Sequence, residues 1–196
     1  RHTWHPCSQM KDYESFPPLQ IQRAEGVYLH TKDGQRLIDS SASWWCQSLG
    51  HNHPVICAAI EDQLKQFHQV ILANTTNDVI TELSSYLATL SPGLDRVFYA
   101  SDGSCAVEIA LKMSLQSRHI RGQHHKQRLA ALASGYHGET IMTMSVSDCD
   151  LYKSPFAAWC QPVSHLESLP LVSGQSDPLW HDCGEYWQHT LKQLEP

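Results

Sequence analysis

The sequence predicts an α/β fold in which buried parallel strands alternate with helices. Two apolar segments, Arg96–Ala100 and Leu129–Ala133, are typical of buried strands, and a polar turn containing glycine and a helix start follow each of them. Hydrophobic residues make up 41% of the 196-residue chain, which is enough apolar surface for a core. The repeated order of strand, turn and helix is the pattern of α/β sheets.

Residues 1–50 are predicted to form an N-terminal segment with short antiparallel strands. Leu19–Gln22, Val27–His30 and Gln35–Asp39 have strand-like patterns, and Asp33-Gly34 is a hairpin turn signal between the last two. Two or three such strands are not stable alone, so we expect them to pack against other parts of the protein.

Residues 51–196 are predicted to be an incomplete large domain that begins with two amphipathic helices. Pro54 suits the first position of one helix, and Asn77 suits the cap of another that starts at Asp78. In the first helix, one face is predicted to carry Val55, Ile56, Ala59, Ile60, Leu64 and Phe67, and in the second helix the residues predicted to face inward are Val79, Ile80, Leu83, Leu87 and Leu90.

The rest of the chain continues the alternation only in part. A helix should follow Ser104 and another should start at Glu139-Thr140, whereas Ser147–Asp182, with four prolines, is predicted to be irregular. A last helix is predicted over Glu185–Leu194. Two core strands are too few for a complete sheet of this type, so we expect the chain to be the front half of a larger protein.

Composition excludes several classes of protein. A net charge of −6 argues against non-specific nucleic-acid binding, and no apolar run reaches the roughly 18–20 residues of a membrane span. Seven scattered cysteines without a C-x-x-C pair indicate reduced thiols and a cytoplasmic location. His51-Asn52-His53 lacks a second cluster of ligands, so we predict turn and cap roles there and no metal site.

The turn Ser101-Asp102-Gly103-Ser104 is a candidate phosphate site. It joins a predicted strand to a predicted helix, where free backbone N–H groups and the positive end of the helix dipole meet. Gly103 would allow close approach, and Ser104 would add a hydroxyl donor. The alternative is a capped helix start without a ligand, because Ser and Asp are ordinary N-caps.

Two further segments carry aromatic side chains suited to binding. Gly135-Tyr136-His137-Gly138 follows a predicted strand and should present its rings at the sheet edge where ligands bind, or else form a surface turn. Of Trp44 and Trp45, we expect one to be buried and the other to line a cleft or an interface. The alternative is that both tryptophans are structural.

Seven segments together resemble the N-terminal part of the class III, fold-type I, pyridoxal-phosphate-dependent aminotransferases. They are, in chain order, Trp4-His5-Pro6, Ala24-Glu25-Gly26, Asp33-Gly34-Gln35-Arg36-Leu37, Ser43-Trp44-Trp45, Gly50-His51-Asn52-His53-Pro54, Tyr99–Glu108 and Gly135–Thr140. The resemblance implies the N-terminal segment and the first part of the large α/β/α domain of that fold. The double tryptophan and the Gly-Tyr-His-Gly turn are most similar to the members that act in biotin synthesis.

The resemblance implies roles for residues at the matching positions. Gly103 and Ser104 would hold the phosphate of pyridoxal 5'-phosphate, and Tyr136 and His137 would lie in the same cofactor site. Tyr136 would also line the substrate site, together with Trp44, Trp45 and Cys7. Members that act in biotin synthesis usually carry Tyr where Cys7 stands, which leaves the amino donor open.

The resemblance also implies an activity and an assembly. The expected reaction transfers the amino group of S-adenosylmethionine to 8-amino-7-oxononanoate to give 7,8-diaminononanoate, in a homodimer that takes small-molecule substrates and neither nucleic acid nor a membrane. No lysine here has the context of the Schiff-base lysine, so no catalytic residue is expected within the chain and that lysine is expected beyond Pro196. The alternatives are another class III aminotransferase with a donor such as lysine, or a truncated, non-catalytic fragment.

Overall fold

The computed structural model describes residues 2–166, 170–192 and 194. The chain forms two compact units, Arg1–Leu83 and Ser84–Pro196. The domain division predicted after residue 50 stays a prediction. In the described part of the chain, no helix is both long and apolar enough to cross a membrane.

The first unit contains a three-stranded antiparallel sheet in the order β1-β2-β3. Its strands are β1 (Ile21–Glu25), β2 (Tyr28–Thr31) and β3 (Arg36–Ile38), and a short 3-10 helix, Met10–Glu14, precedes them. Tyr28 lies opposite both Glu25 and Ile38, so β2 is the central strand. The predicted antiparallel piece is confirmed, with its first strand starting two residues later than expected.

Two helices follow, and the structure confirms their predicted start signals. Helix α1 spans Pro54–Leu64 with its proline in the first turn, and helix α2 spans Asp78–Leu90. The side chain of Asn77 accepts a hydrogen bond from the Ile80 amide at 3.1 Å, as an N-cap does.

The apolar faces of α1 and α2 are exposed in this structure, so the prediction that the apolar residues of α2 point inward is wrong. Val55 is 70% exposed and Val79 is 57% exposed, and neither helix has a buried residue. An amphipathic pattern indicates which face favours apolar neighbours, but it does not supply those neighbours.

The second unit contains a parallel pair of strands flanked by helices. Its elements are α3 (Gly103–Ile120), β4 (Leu129–Leu132), α4 (Ile141–Val146) and β5 (Val163–Leu166). Strands β4 and β5 pair in parallel, which is the strand direction that the alternation predicted, but β5 was not among the predicted strands. Most buried residues of the described part of this unit gather on and beside α4 and β5, and the full set is Gly138, Thr143, Met144, Ser145, Val146, Ser147, Leu166 and, on the last helix, Thr190.

The predicted strand at Arg96–Ala100 is absent from the described structure. This segment has no strand assignment, and Phe98 is 66% exposed. A strand needs a neighbour that satisfies its backbone N–H and C=O groups, and no described segment pairs with this one. An apolar run alone therefore overpredicted a strand here.

The segment Ser147–Asp182 is more ordered than predicted. Besides β5 it contains two short helices, α5 (Asp150–Lys153) and α6 (Pro178–His181), and a 3-10 helix, Ser154–Trp159. The four residues of β5 owe their order to pairing with β4, a distant contact that local periodicity does not reveal. The last helix, α7 (Gly184–Lys192), lies close to its predicted position.

Candidate functional site

The candidate phosphate turn is a capped helix N-terminus. The carboxylate of Asp102 accepts a hydrogen bond from the Cys105 amide at 2.8 Å, and this bond holds the pKa of Asp102 below its usual value. The same carboxylate raises the pKa of the Cys105 thiol, so this cysteine stays protonated and is a poor nucleophile. Gly103 is exposed and Ser104 is half-buried at the positive end of the 18-residue helix α3.

The Gly135–Gly138 turn follows β4 and is closed by two residues that the sequence analysis missed. The hydroxyl oxygen of Ser147 accepts a hydrogen bond from the His137 amide at 2.9 Å. Asp148 accepts from the Ser134 amide and donates its own amide to the carbonyl of Gly135, both at 2.8 Å. Ser147 and Asp148 lie at the start of the segment predicted to be irregular, where no local pattern marked them.

These two turns meet at Gly138, although they are more than 30 residues apart in the sequence. Gly138 is buried with φ +121°, and a Cβ atom there would overlap Ser104 Oγ and lie 3.1 Å from Ser104 Cα. Only glycine leaves room at this place, because any side chain would collide with the serine. The structure thus brings Ser104 beside the turn that carries Tyr136 and His137.

Tyr136 presents an exposed aromatic ring beside a carboxylate. Its hydroxyl donates a hydrogen bond to Glu139 Oε1 at 2.9 Å, and this bond raises the pKa of Tyr136 above its usual value. Its ring centroid lies 5.8 Å from that of Tyr152 in an edge-on arrangement. Tyr152 is a second aromatic residue of this site that the sequence analysis did not identify.

The imidazole of His137 lies against its own turn. Its Nε2 would be 3.0 Å from a Cβ atom at Gly135, so glycine at that position gives the ring its space. Both glycines of this turn therefore have a steric reason, one for the imidazole and one for Ser104.

Lys153 has a structural role in this unit. Its Nζ donates hydrogen bonds to the carbonyls of Ser145, in the last turn of α4, and of Ser147, just after the helix, at 3.1 and 3.2 Å. An amine held in this way satisfies carbonyl groups that the helix end leaves without partners.

The turns Ser101–Ser104 and Gly135–Gly138, called the paired turns below, offer hydrogen-bond donors and an aromatic surface that fit a phosphorylated aromatic ring. A helix N-terminus and the Ser104 hydroxyl are the groups that bind a phosphate dianion. The exposed Tyr136 ring could cover one face of a flat heterocycle. Because Gly138 has no side chain, Ser104 remains accessible beside both features.

The tryptophan pair belongs to the first unit and lies in a left-handed turn. The φ angles of Ala42–Trp45 are 47°, 46°, 65° and 66°, a conformation that costs roughly 1–2 kcal/mol for each L-residue. Trp44 is 72% exposed and Trp45 is 80% exposed, so the expectation that one of them is buried is wrong. The alternation of a strand does not apply to this turn, and both indoles lie on the surface with centroids 5.7 Å apart.

The remaining candidates of the first unit have local roles in the structure. Cys7 is exposed with φ 55°. His51 forms a backbone bridge with Gly26, and His53 occupies the N-cap position of α1 without a side-chain capping hydrogen bond. Among residues 2–166, 170–192 and 194, no three of His, Cys, Asp or Glu are grouped as metal ligands.

Comparisons with known proteins point to one family. The aminotransferase class-III model matches residues 9–195. The adenosylmethionine-8-amino-7-oxononanoate aminotransferase of Helicobacter pylori is 38% identical over 156 residues, 79% of this chain and 36% of that protein. The chain therefore spans little more than a third of the length of this curated relative.

Two solved structures have the same fold over most of the chain. The crystal structure of the adenosylmethionine-8-amino-7-oxononanoate aminotransferase of Methanocaldococcus jannaschii has a TM-score of 0.81 and 33% identity, covering 85% of this chain and 38% of that one. A pyridoxal-phosphate-bound amine transaminase of an uncultivated Pseudomonas species has a TM-score of 0.78 and 27% identity, covering 99% and 44%.

Proposed function

Because the chain belongs to the class-III aminotransferases, a family of fold-type I enzymes that depend on pyridoxal phosphate, we propose that it is the cofactor-binding part of one that makes 7,8-diaminononanoate. The amino acceptor would be 8-amino-7-oxononanoate and the donor S-adenosylmethionine, a reaction of biotin synthesis. The names of the curated relatives support this substrate pair.

The observation that carries this proposal is the contact between the two turns at Gly138. A phosphate donor, Ser104, and an exposed aromatic ring, Tyr136, come together only because position 138 lacks a side chain. A cofactor that combines a phosphate with a flat ring needs both features in one place.

The residues of the paired turns would bind and orient the cofactor. The N–H groups at the start of α3 and the Ser104 hydroxyl would hold the phosphate, with Gly103 allowing close approach. Tyr136 would lie over the ring, and His137 would line the same site. When bound, pyridoxal phosphate is an electron sink that carries the amino group between donor and acceptor.

The protonation state of Tyr136 suits a binding role. Its hydrogen bond to Glu139 raises its pKa, so the phenol keeps its proton through neutral pH and the ring stays uncharged beside a bound group. Its negative partner, Glu139, would also favour a cationic group of a substrate near this ring.

The tryptophan pair would line the substrate site. Trp44 and Trp45 offer a broad apolar surface that suits the unbranched chain of 8-amino-7-oxononanoate. Cys7 would lie in the same substrate site, where its thiol cannot stack on an adenine ring. That substitution favours the second candidate function, in which a class III enzyme uses a donor such as lysine.

We further propose a cytoplasmic homodimer whose Schiff-base lysine lies outside these 196 residues. A dimer would be consistent with the exposed apolar faces of α1 and α2, and seven free thiols fit a reducing compartment. The proposed domains are an N-terminal segment over residues 1–50 and a large cofactor-binding domain from residue 51.

The proposal is tested by following amino transfer in the whole protein. Purified protein loaded with pyridoxal phosphate would receive 8-amino-7-oxononanoate and either S-adenosylmethionine or lysine, and mass spectrometry would measure 7,8-diaminononanoate. Product with S-adenosylmethionine supports the proposal, and product with lysine alone supports the second candidate. Cofactor binding without product from either donor would leave a non-catalytic fragment or another substrate.

A pair of serine variants tests the phosphate site. Ser104→Ala should weaken pyridoxal phosphate binding about tenfold, since a hydrogen bond to a charged group contributes roughly 1.5–3 kcal/mol. Ser114→Ala changes an exposed serine on the same helix and should bind as the wild type does. Equal affinity in the two variants would exclude Ser104 from the phosphate site.

A further inference from the structure

The left-handed turn Ala42–Trp45 requires stabilising contacts from residues outside the turn. Four consecutive L-residues with positive φ do not adopt this shape by themselves, and no glycine relieves them. Such backbone persists only where surrounding contacts determine it, and it gathers at functional sites. The question is which group in the first unit supplies those contacts.

The side chain of Asp39 contacts the turn at Ser43, the residue before the turn at Ser41 and, outside the turn, His51. Its Oδ2 accepts hydrogen bonds from Ser43 Oγ at 2.7 Å and from His51 Nε2 at 2.9 Å. Its Oδ1 accepts from Ser41 Oγ at 3.2 Å. The Asp39 side chain is only 7% exposed and that of His51 14%, so the bond between these two side chains is largely shielded from water.

The backbone of Asp39 fixes it to the sheet and to the turn. Its amide donates to the carbonyl of Val27 at 2.9 Å, and its carbonyl accepts from the Ala42 amide at 3.2 Å. Asp39 therefore follows β3 directly and contacts the first residue of the left-handed turn.

His51, which binds the Asp39 carboxylate, is itself fixed by backbone hydrogen bonds to Gly26. The His51 amide donates to the carbonyl of Gly26 at 2.8 Å, and the Gly26 amide donates to the carbonyl of His51 at 3.0 Å. Gly50 leaves room for this bridge, because a Cβ there would lie 3.1 Å from the Gly26 oxygen. Asp39 thus joins the turn to two backbone segments that are already anchored.

We propose that Asp39 is a positioning residue, which holds Trp44 and Trp45 in place as a wall for an apolar substrate through its bonds to Ser41, Ser43 and His51. This inference rests on the proposed function for the substrate and on the geometry of the first unit for the positioning. Asp39 touches neither indole, so its effect passes through the backbone of the turn. The two rings, tilted by 36° to each other, form the wall that it orients.

The test measures the geometry of the indole pair in the whole protein. Two indoles at 5.7 Å couple in the near-ultraviolet circular dichroism spectrum, and subtracting the spectrum of a Trp44→Phe, Trp45→Phe double variant isolates that signal. Asp39→Asn keeps the shape of the side chain but replaces one acceptor oxygen by a donor. We expect Asp39→Asn to lose at least half of the signal.

Asp33→Asn is the matched control. Asp33 also accepts side-chain hydrogen bonds in the first unit, from Thr31 and from Gln35, but it lies in the exposed hairpin between β2 and β3. This variant should keep the full signal. An unchanged signal in Asp39→Asn, or an equal loss in both variants, would overturn the proposal.

The effects of Asp39→Asn on KM and kcat distinguish a positioning role from a general loss of structure. In Asp39→Asn, KM for 8-amino-7-oxononanoate should rise about tenfold while kcat at saturation changes less than twofold, because a misplaced wall weakens binding of a group remote from the reacting carbon. A fall in kcat with constant KM would overturn the inference. If the whole protein proves inactive, the dichroism signal still tests Asp39, so failure of the proposed function is distinguishable.

A variant that removes only one hydrogen bond to Asp39 keeps the proposal testable if Asp39→Asn does not fold. Should Asp39→Asn fail to fold, Ser43→Ala removes one of the three donors while leaving the carboxylate in place. Ser43→Ala should show a partial loss of the same signal, and Ser48→Ala, outside the Asp39 contacts, should show none. Full signal in Ser43→Ala would count against the proposal.

Discussion

The paired turns of the second unit and the tryptophan turn of the first unit expose their aromatic rings on very different supports. The paired turns lie beside a packed core, in which Thr143 and Ser145 are fully buried. Ser147 is also buried, and its hydroxyl accepts a hydrogen bond from the His137 amide of the Gly135–Gly138 turn. In the described part of the first unit, Thr31 is the one buried residue, and the tryptophan turn depends on a carboxylate.

This difference teaches that one molecule can position rings by packing in one place and by charge in another. The paired turns should be disturbed by added side-chain volume, because they depend on close packing around glycine. The Asp39 network, which is Asp39 with Ser41, Ser43 and His51, should be disturbed by protonation of the carboxylate or by replacement of one of its oxygens. The two regions should therefore fail under different perturbations. The following variants are chosen to separate those responses.

The largest effect should come from adding volume where the two turns meet. In Gly138→Ala, the new Cβ would lie within 3.1 Å of three Ser104 atoms in a backbone with φ +121°, so the free energy of unfolding should fall by roughly 2–4 kcal/mol. Rotation of the Ser104 hydroxyl away from the methyl group would also remove the phosphate donor. Urea unfolding and pyridoxal phosphate titration measure the two effects.

Gly174→Ala is the control for backbone conformation alone. Gly174 has φ +146°, and no described atom lies within 4 Å of the place that a Cβ would take, so only the conformational cost applies. It should destabilise less than Gly138→Ala and leave cofactor affinity unchanged. Equal effects on affinity would mean that the contact with Ser104 is unimportant.

Acid should act on the first unit through Asp39. Its hydrogen bonds, above all from Ser43, lower its pKa, so the folded protein binds the proton more weakly than the unfolded chain does. The stabilisation is therefore present above the ordinary carboxyl pKa near 4 and is lost as the pH falls below it. We therefore expect the free energy of unfolding of the first unit to fall as the pH is lowered through that range.

Asp39→Asn should remove most of this acid dependence. The free energy of unfolding of the first unit, followed by tryptophan fluorescence between neutral pH and pH about 2, should be flatter than in the wild type. Asp33→Asn should keep most of the slope, because Asp33 is exposed and its charge is screened by water. A wild-type slope in Asp39→Asn would show that other carboxylates control acid unfolding.

A buried hydroxyl should have a smaller effect in the second unit. Ser147→Ala leaves the amide of His137 without its acceptor, so the free energy of unfolding should fall by about 1–2 kcal/mol. Hydrogen exchange of that amide should accelerate, and pyridoxal phosphate affinity should fall because the turn loosens. Equilibrium unfolding and exchange measured by NMR would report both.

Ser145→Ala, two residues earlier in α4, is the matched control. Its hydroxyl is fully buried and accepts from the Gln161 amide at 2.9 Å, so a similar loss of stability is expected. It makes no contact with the His137 amide, whose exchange should not change. An equal increase in the exchange rate of the His137 amide in both serine variants would contradict a specific role for Ser147.

Local signals predicted the elements of this fold more reliably than its contacts. The proline at the start of α1, the Asn77 cap of α2 and the Asp33-Gly34 turn depend on neighbouring residues, and each appears as predicted. Strand β5 and the absence of a strand at Arg96–Ala100 depend on pairing partners distant in sequence, which periodicity does not encode.

The candidate site divides in the same way. Gly103, Ser104 and the Gly-Tyr-His-Gly turn could be found because helix starts and glycine turns have local signatures. Their meeting at Gly138 and the closing bonds of Ser147 are tertiary contacts that required the structure. Asp39 was noted only as the end of a strand, since nothing in its neighbourhood marks a buried carboxylate with three donors.

The smallest expected effect concerns charge at the otherwise packed site. Glu139→Gln removes the carboxylate that raises the pKa of Tyr136, so the phenol should titrate closer to its ordinary value near 10. The change should be modest, because the ring is 57% exposed and water screens the interaction. Difference absorbance of the phenolate against a Tyr136→Phe variant isolates this group. Glu185→Gln, in the first turn of α7, should leave the titration unchanged. If Glu139→Gln also leaves it unchanged, then charge has no role at the paired turns, and the contrast with the Asp39 network becomes sharper.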